Sequence, residues 1–262
     1  MSEDNHLFRF TVEQGAIADC KPGQFLELWI PGVGECPISI CADRSDDTIE
    51  LCVHRIGRVT DALFKMKEGD WLGLRGPYGH GFPIAEMEGR NLILVAGGLG
   101  IAPIRALLQY ILNRREKFGK LLIVYGMRHS QDLLFRHEMK NLYGRDDLQL
   151  FLGAEEIDSP EVPPIQIQLG RVTDVLRMAE FDETYSAAIC GPPVMYPYVV
   201  NELKAKGMLE KNIFLSLERH MKCALAKCGH CFIGGVYACK EGPVFSLSDL
   251  RFIPEVVECA GC

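Results

Sequence analysis

Four of the eleven cysteines fall within seventeen residues near the C-terminus: Cys223, Cys228, Cys231 and Cys239. The acidic N-terminal stretch lacks the basic-then-apolar order of a secretory signal, which predicts a reducing cytoplasmic compartment where disulfides are rare. Thiols spaced this closely then need another chemical reason, and the common one is a metal centre. The C-terminal part of the chain is therefore expected to fold around a compact cysteine loop.

The spacing of these cysteines narrows the type of centre. Cys223-x4-Cys228-x2-Cys231 followed by Cys239 is typical of plant-type [2Fe–2S] loops, in which a later strand brings the fourth thiolate. Four thiolates also satisfy tetrahedral zinc, but zinc sites more often consist of two separated C-x2-C hairpins. The spacing favours iron–sulfur, with structural zinc as the alternative. A second pair, Cys259 and Cys262, fits a redox dithiol, half a metal site or two thiols without function.

Composition excludes several classes of function. The 262 residues carry 28 Lys and Arg against 35 Asp and Glu, a formal charge of −7, which is the wrong sign for general nucleic-acid or anionic-membrane binding. No stretch reaches the roughly 18 consecutive apolar residues of a membrane helix. We therefore expect a soluble globular protein with no nucleic-acid partner and no transmembrane segment.

The pattern along the chain predicts three units. Short alternating segments separated by turn signals predict an antiparallel β-barrel over residues 1–88. Apolar runs that alternate with helical periodicity predict an α/β domain with a parallel sheet over 89–218. The cysteine segment and tail form a third module over 219–262. The stretch 161–169, which contains Pro163 and Pro164, reads as a loop or an edge strand.

Two glycine turns mark the predicted α/β domain. The apolar run 92–96 leads into Gly97-Gly98-Leu99-Gly100 and then a helix, an arrangement that suits a pyrophosphate beside a helix N-terminus. Glycines that only allow tight strand-to-helix packing are the alternative. Cys190-Gly191-Pro192-Pro193 again ends a strand and opens a helix. The two turns are expected to face one crevice at the carboxyl edge of the sheet, where a dinucleotide binds.

Taken with the barrel, these motifs resemble the ferredoxin-NADP reductase superfamily, which has a G-G-x-G-x-A-P turn and a C-G-P-x-x-M turn. With the cysteine segment added, the chain is similar to the iron–sulfur flavoprotein electron-transfer subunits of dihydroorotate dehydrogenase, sulfhydrogenase and anaerobic sulfite reductase. The resemblance covers nearly the whole chain. It implies FAD, NAD(P) and a [2Fe–2S] cluster as cofactors, and a redox partner subunit within a larger complex.

The resemblance also assigns residues to each cofactor. For the flavin they are Pro37, Ile38, Ser39, Ile40, His54, Arg55, Gly57, Arg58, Val59, Thr60, Gly76 and Tyr78. For NAD(P) they are Gly97, Gly98, Gly100, Ile101, Ala102, Pro103, Arg128, Asp132, Cys190, Gly191, Pro192 and Met195, with Tyr125 beside Arg128 on the adenosine side. Ser39 would orient the flavin near N5, and Cys190 would align the nicotinamide.

One departure concerns the flavin phosphates. The family pattern R-x-[YF]-[ST] stands here as Cys36-Pro37-Ile38-Ser39, so the phosphate-binding arginine is missing, and Arg55 and Arg58 are the candidates to replace it. The implied mechanism is hydride transfer between NAD(P)H and the flavin, then single-electron steps through the cluster. A non-catalytic docking subunit with a decayed flavin site and structural zinc is the alternative.

Overall fold

The computed structural model describes residues 4–13, 20–43, 47–158 and 165–250. The strands are β1 (Asn5–Thr11), β2 (Phe25–Ile30), β3 (Gly34–Ser39), β4 (Thr48–His54), β5 (Gly73–Tyr78), β6 (Asn91–Gly97), β7 (Leu121–His129), β8 (Gln149–Glu156), β9 (Ile167–Leu169), β10 (Tyr185–Cys190), β11 (Ile213–Ser216), β12 (Phe232–Ile233), β13 (Val236–Tyr237) and β14 (Val244–Ser246). The helices are α1 (Arg58–Leu63), α2 (Ile84–Met87), α3 (Ile101–Leu112), α4 (Arg136–Leu142), α5 (Val172–Met178) and α6 (Met195–Ala205).

The first five strands form the predicted antiparallel barrel. β1 pairs with β4, β2 lies between β3 and β5, and a bridge from Ile40 to Leu51 joins the two sheets. Strand alternation explains the core, because Leu26, Leu28 and Ile30 on β2 all point inward. The opposite face of β2 carries Phe25, Glu27 and Trp29. At the Phe25 end, this face packs against side chains that lie outside the barrel.

The second part is a seven-stranded sheet in the order β14-β11-β10-β6-β7-β8-β9. Strands β6 to β11 are parallel, as the alternating pattern predicts, and β6 is almost wholly buried because helices cover both faces. The stretch 161–169 was predicted as a loop or an edge strand, and it ends in the edge strand β9. Residues 159–164, including Pro163 and Pro164, lie outside the described residues.

The structure corrects one prediction, that of a purely parallel sheet. β14 comes from the cysteine module and pairs antiparallel with β11, so the sheet is mixed and crosses the predicted boundary at residue 218. Helix α4 begins only at Arg136, because residues 130–132 form a 3-10 turn and Phe135 adopts a left-handed conformation. In the described part of the chain, no helix is long and apolar enough to cross a membrane.

Candidate cofactor and metal-binding site

The two glycine turns of the α/β sheet lie against each other. Ala96 on β6 pairs with Cys190 on β10, so both strands end at the same level. A Cβ on Gly100 would lie 2.3 Å from the carbonyl oxygen of Cys190, and one on Gly97 would lie 2.5 Å from Sδ of Met195. Only glycine allows so close an approach, so tight packing alone accounts for glycine at these positions. The absence of side chains also leaves the backbone exposed along the edge of the crevice.

Cys190 is 2% exposed at the end of β10. Burial raises the pKa of its thiol to about 12, so the thiol is neutral at physiological pH and packs without acting as a nucleophile. The negative charge of Glu218 raises that pKa further, which places Glu218 close to this turn. Glu218 was not predicted from the sequence, although its place just after β11 at the carboxyl edge of the sheet was a usable signal.

An open cavity of about 610 Å³ lies where the barrel meets the carboxyl edge of the sheet. Gly98 and Asp132 line it from the nucleotide side and His54 from the flavin segment, so the fold brings together residues that the resemblance assigns to different cofactors. Arg128 is exposed at the end of β7. Tyr125 does not join them, because its side chain is fully buried in the sheet core.

The second flavin segment forms the start of the short helix α1. The Thr60 hydroxyl accepts hydrogen bonds from the amides of Gly57 (2.9 Å) and Ile56 (3.0 Å). The side chain of Thr60 thus engages the Gly57 amide. The amides of Arg58, Val59 and Thr60 precede the first intrahelical bond, which Asp61 donates to the Gly57 carbonyl.

The two candidate arginines differ in their surroundings. Arg55 donates to Asp61 at 2.7 Å and lies over the Phe64 ring. Arg58 is exposed, and its Nη2 lies 3.4 Å from the position that a Cβ on Gly34 would occupy. Gly34 begins β3, the strand that carries Cys36. Arg58 is therefore the arginine that reaches β3, while Arg55 is engaged by Asp61.

Ser39 and Tyr78 lie on one face of the barrel sheet. Both pair with Phe25 across β2, and residues directly opposite in antiparallel strands share a face. The Phe25 and Tyr78 rings are 5.8 Å apart. This face is turned toward the α/β core and the cysteine module, because Phe25 packs in the same cluster of buried side chains as Cys231 and Cys239.

The cysteine loop directs backbone amides at sulfur. Leu225 and Lys227 each donate to Sγ of Cys223 at 3.4 Å, and Ala226 donates to Sγ of Cys239 at 3.2 Å. Ala224 and Ala226 adopt left-handed conformations, which are costly for a residue with a Cβ and turn successive amides inward.

These amides change the acidity of the loop thiols. They lower the pKa of Cys223, and the amide of His230 lowers the pKa of Cys228 to about 7. Cys239 is buried, and burial raises its pKa to about 11. Thiolates are the form that binds metals, so the two outer cysteines are prepared as ligands and the two inner ones, Cys231 and Cys239, are screened from solvent.

The four thiols form two pairs. Cys223 lies near Cys228, and Cys231 lies near Cys239. Within the described ranges, the one group of three metal-binding side chains with ligand atoms all within 4.8 Å of one another is His129, Glu156 and Asp158, so no three of these sulfurs are that close. Sulfurs around one tetrahedral zinc stand about 3.8 Å apart, given Zn–S bonds of about 2.3 Å. The spread into two pairs suits a centre with two metal atoms. Cys259 and Cys262 lie outside the described residues.

Two family models match the chain. The oxidoreductase NAD-binding domain matches residues 94–201, and the iron-sulfur cluster binding domain of dihydroorotate dehydrogenase B matches residues 218–251. They cover the glycine turns and the cysteine loop, respectively. The expected NAD-binding and iron–sulfur-binding modules are confirmed at this level.

Curated relatives match across most of the chain. Sulfhydrogenase 2 subunit gamma of Pyrococcus furiosus is 45% identical over 242 residues, which cover 87% of this chain and 84% of that protein. A probable dihydroorotate dehydrogenase B (NAD(+)) electron transfer subunit of the same organism is 36% identical over 231 residues, 87% of this chain and 81% of that protein. The resemblance drawn from the motifs is confirmed by both.

Solved structures share the fold. An NADH-dependent reduced ferredoxin-NADP oxidoreductase superposes with a TM-score of 0.74 at 24% identity, covering 94% of this chain and 85% of that one. A ferredoxin NADP+ reductase from Neisseria gonorrhoeae with bound FAD and NADP superposes with a TM-score of 0.65 at 19% identity, covering 81% and 92%. At these identities the likeness establishes the architecture of barrel and nucleotide-binding sheet.

Proposed function

Since this chain belongs to the family of iron–sulfur electron-transfer subunits built on the ferredoxin-NADP reductase fold, we propose that it passes electrons between NAD(P)H and a partner subunit by way of bound FAD and a [2Fe–2S] cluster. A flavin supplies the link between the two-electron chemistry of a nicotinamide and the one-electron chemistry of a cluster. The observation that carries the proposal is the four-thiol loop packed against the same barrel face as Ser39 and Tyr78.

The nucleotide side of the proposal rests on the two glycine turns. Gly97, Gly98 and Gly100 leave backbone bare at the N-terminus of α3, where a pyrophosphate is favoured. Cys190 and Gly191 form the wall behind them, and the neutral, packed thiol of Cys190 suits the alignment of a nicotinamide ring. Arg128 and Asp132 would bind the adenosine half.

The flavin side depends on a replacement for the missing arginine. Cys36 cannot neutralise a phosphate, because a thiol carries no positive charge in either protonation state. Burial raises the pKa of Cys36 to about 11 and keeps the thiol uncharged, so it does not repel a phosphate either. Arg58 carries a permanent positive charge beside β3, and with the amides of Arg58 and Val59 it would hold the flavin phosphates. Ser39 would donate to or accept from the ring near N5.

The donor set supports [2Fe–2S] as the cluster. Two pairs of thiols supply two ligands for each of two irons, three backbone amides donate to the sulfurs, and the loop offers no carboxylate or imidazole in the ligand positions. Curated relatives are named as subunits, which supports a partner subunit as the second redox site. NADH is the nicotinamide we would test first.

The first experiment is an absorbance spectrum of the anaerobically purified, untagged chain before and after NADH, with iron, zinc and flavin analysis on the same sample. We expect flavin and cluster bands that both bleach with NADH. A colourless protein with bound zinc would overturn the proposal and leave the docking-subunit alternative. A cluster without flavin would contradict the assignment of Arg58 as a sufficient replacement for the missing arginine.

A further inference from the structure

Arg75 on β5 makes hydrogen bonds with all of its donors. Its Nε and Nη2 donate to the two carboxylate oxygens of Glu35 at 2.9 and 2.8 Å, and its Nη1 donates to the Tyr78 hydroxyl at 3.0 Å. The other N–H groups of Nη1 and Nη2 donate to the backbone carbonyls of Cys223 at 3.1 Å and Lys222 at 3.0 Å. A guanidinium has five N–H groups, so none is left over.

These bonds connect two separate parts of the chain. Glu35 and Tyr78 belong to β3 and β5 of the barrel, whereas Lys222 and Cys223 begin the cysteine loop. Cys223 lies 148 positions from Arg75 in the sequence. Cys223 is the first of the four cluster cysteines. The bidentate pair with Glu35 orients the planar guanidinium on the barrel, and the same plane then points two donors at the loop backbone.

Glu27 shows that this orientation has a cost. Glu27 pairs directly with Arg75 across β2 and β5, and it is fully buried, yet neither carboxylate oxygen has a hydrogen-bond partner. A buried carboxyl without a partner is destabilising. The strand register places Glu27 directly opposite Arg75. The Arg75 donors nevertheless go to Glu35, Tyr78 and the loop carbonyls, and none goes to Glu27.

We propose that Arg75 is a positioning residue that fixes the start of the cysteine loop on the barrel face that carries Ser39 and Tyr78, and so sets the geometry for electron transfer between the flavin and the cluster. The inference rests on the function proposed above and adds a residue to it. Arg75 takes part in no proton transfer and in no covalent step, because it acts only by holding the backbone of Lys222 and Cys223.

Two substitutions separate the charge of Arg75 from its shape. Arg75→Lys keeps the positive charge but loses the planar fork, and Arg75→Gln loses both. In the full chain with both cofactors bound, stopped-flow mixing with NADH follows the flavin and cluster bands separately. We expect flavin reduction within about twofold of wild type for both variants, and transfer from flavin to cluster roughly 10- to 100-fold slower.

The midpoint potential of the cluster is the second readout. Arg75→Gln removes a cation beside Cys223 and is expected to lower the potential, whereas Arg75→Lys is expected to leave it near the wild-type value. A slow transfer step with an unchanged potential in the lysine variant would identify positioning as the cause. Wild-type transfer rates in both variants would overturn the proposal.

A matched control and a cofactor-independent measurement complete the test. Arg9→Gln removes another barrel arginine, on β1, whose side chain is 70% exposed and pairs with Glu50, and it is expected to change neither readout. Hydrogen exchange of the amides of Leu225 and Lys227 is expected to rise in both Arg75 variants, even if they lose iron, and unchanged exchange would also overturn the proposal. Failure of the proposed function appears earlier, as wild-type protein that NADH does not bleach.

Discussion

Glu27 is an acidic residue that is fully buried and has no hydrogen-bond partner for its carboxylate oxygens. Its carboxyl is buried in the barrel face beneath the cysteine loop, with the Arg75 donors engaged elsewhere. Burial raises the pKa of Glu27 to about 7, although the nearby Arg75 charge partly opposes this. The folded protein therefore holds a proton on Glu27 at pH values where the unfolded chain, with a pKa of about 4.5, has released it.

This difference predicts a pH-dependent stability. Because the folded state binds the extra proton, the free energy of unfolding falls as the pH rises from about 4.5 to about 7, and the loss is complete above that window. Glu27→Gln, which cannot ionise, is expected to match wild type near pH 4.5 and to be more stable at pH 8 by roughly 1–3 kcal/mol. Thermal midpoints of both proteins at the two pH values measure this, and a difference independent of pH would contradict it.

At the scale of elements, the glycine turn between β6 and α3 shows how the lack of a Cβ at one position allows two strand ends to pack closely. Gly100 has an ordinary right-handed helical backbone conformation, so alanine is allowed there by its dihedral angles. What excludes alanine is the Cys190 carbonyl oxygen, 2.3 Å from the position of the new Cβ. Gly98 is the opposite case, with a positive φ of 52° and nothing within 4 Å.

The two glycines therefore make a matched pair of substitutions. Gly100→Ala is expected to force β6 and β10 apart and lower the free energy of unfolding by roughly 1–3 kcal/mol, as overpacking does. Gly98→Ala costs only the backbone strain of a left-handed alanine, about 1 kcal/mol. Chemical denaturation of the two variants compares them, and the tight-turn argument fails if Gly100→Ala is the milder change.

At the scale of the whole molecule, Arg105 joins the barrel to the nucleotide-binding sheet. It lies on α3 with only 4% of its surface exposed. It donates to the Cys41 carbonyl at 2.7 Å and to Glu50 at 2.8 Å in the barrel, and to both oxygens of Glu138 on α4 at 2.7 Å. One buried guanidinium thus satisfies acceptors from both parts of the chain.

Removing Arg105 is expected to uncouple these parts. Arg105→Leu leaves buried acceptors without a partner and should cost about 3–5 kcal/mol. Both tryptophans, Trp29 and Trp71, belong to the barrel segment, so their fluorescence should report an earlier transition than far-UV circular dichroism, which reports all elements. The control Arg177→Leu removes an exposed pair with Glu202 and should cost under about 1 kcal/mol with coincident transitions. Coincident transitions in Arg105→Leu would refute the coupling.

Much of the architecture was predictable because it depends on residues close together in the chain. The cysteine spacing indicated a metal-binding loop, the strand–glycine–helix pattern indicated the nucleotide-binding sheet, and the alternating segments indicated the antiparallel strands of the barrel. Local covalent geometry controls each of these features, so a short window of sequence contains the whole signal. Family membership followed from the same short motifs.

Other features depend on contacts between distant segments, and no local pattern encodes those contacts. Four features require the packed molecule: the antiparallel addition of β14, the burial of Tyr125 and Glu27, the proximity of Glu218 to Cys190, and the bonds from Arg75 to the cysteine loop. Alternation tells which residues share a face of a strand but not what covers that face. The chain thus encodes its cofactor-binding motifs locally, whereas long-range packing sets how those motifs are held against one another, because burial and hydrogen-bond partners exist only once the barrel, the sheet and the cysteine loop have docked.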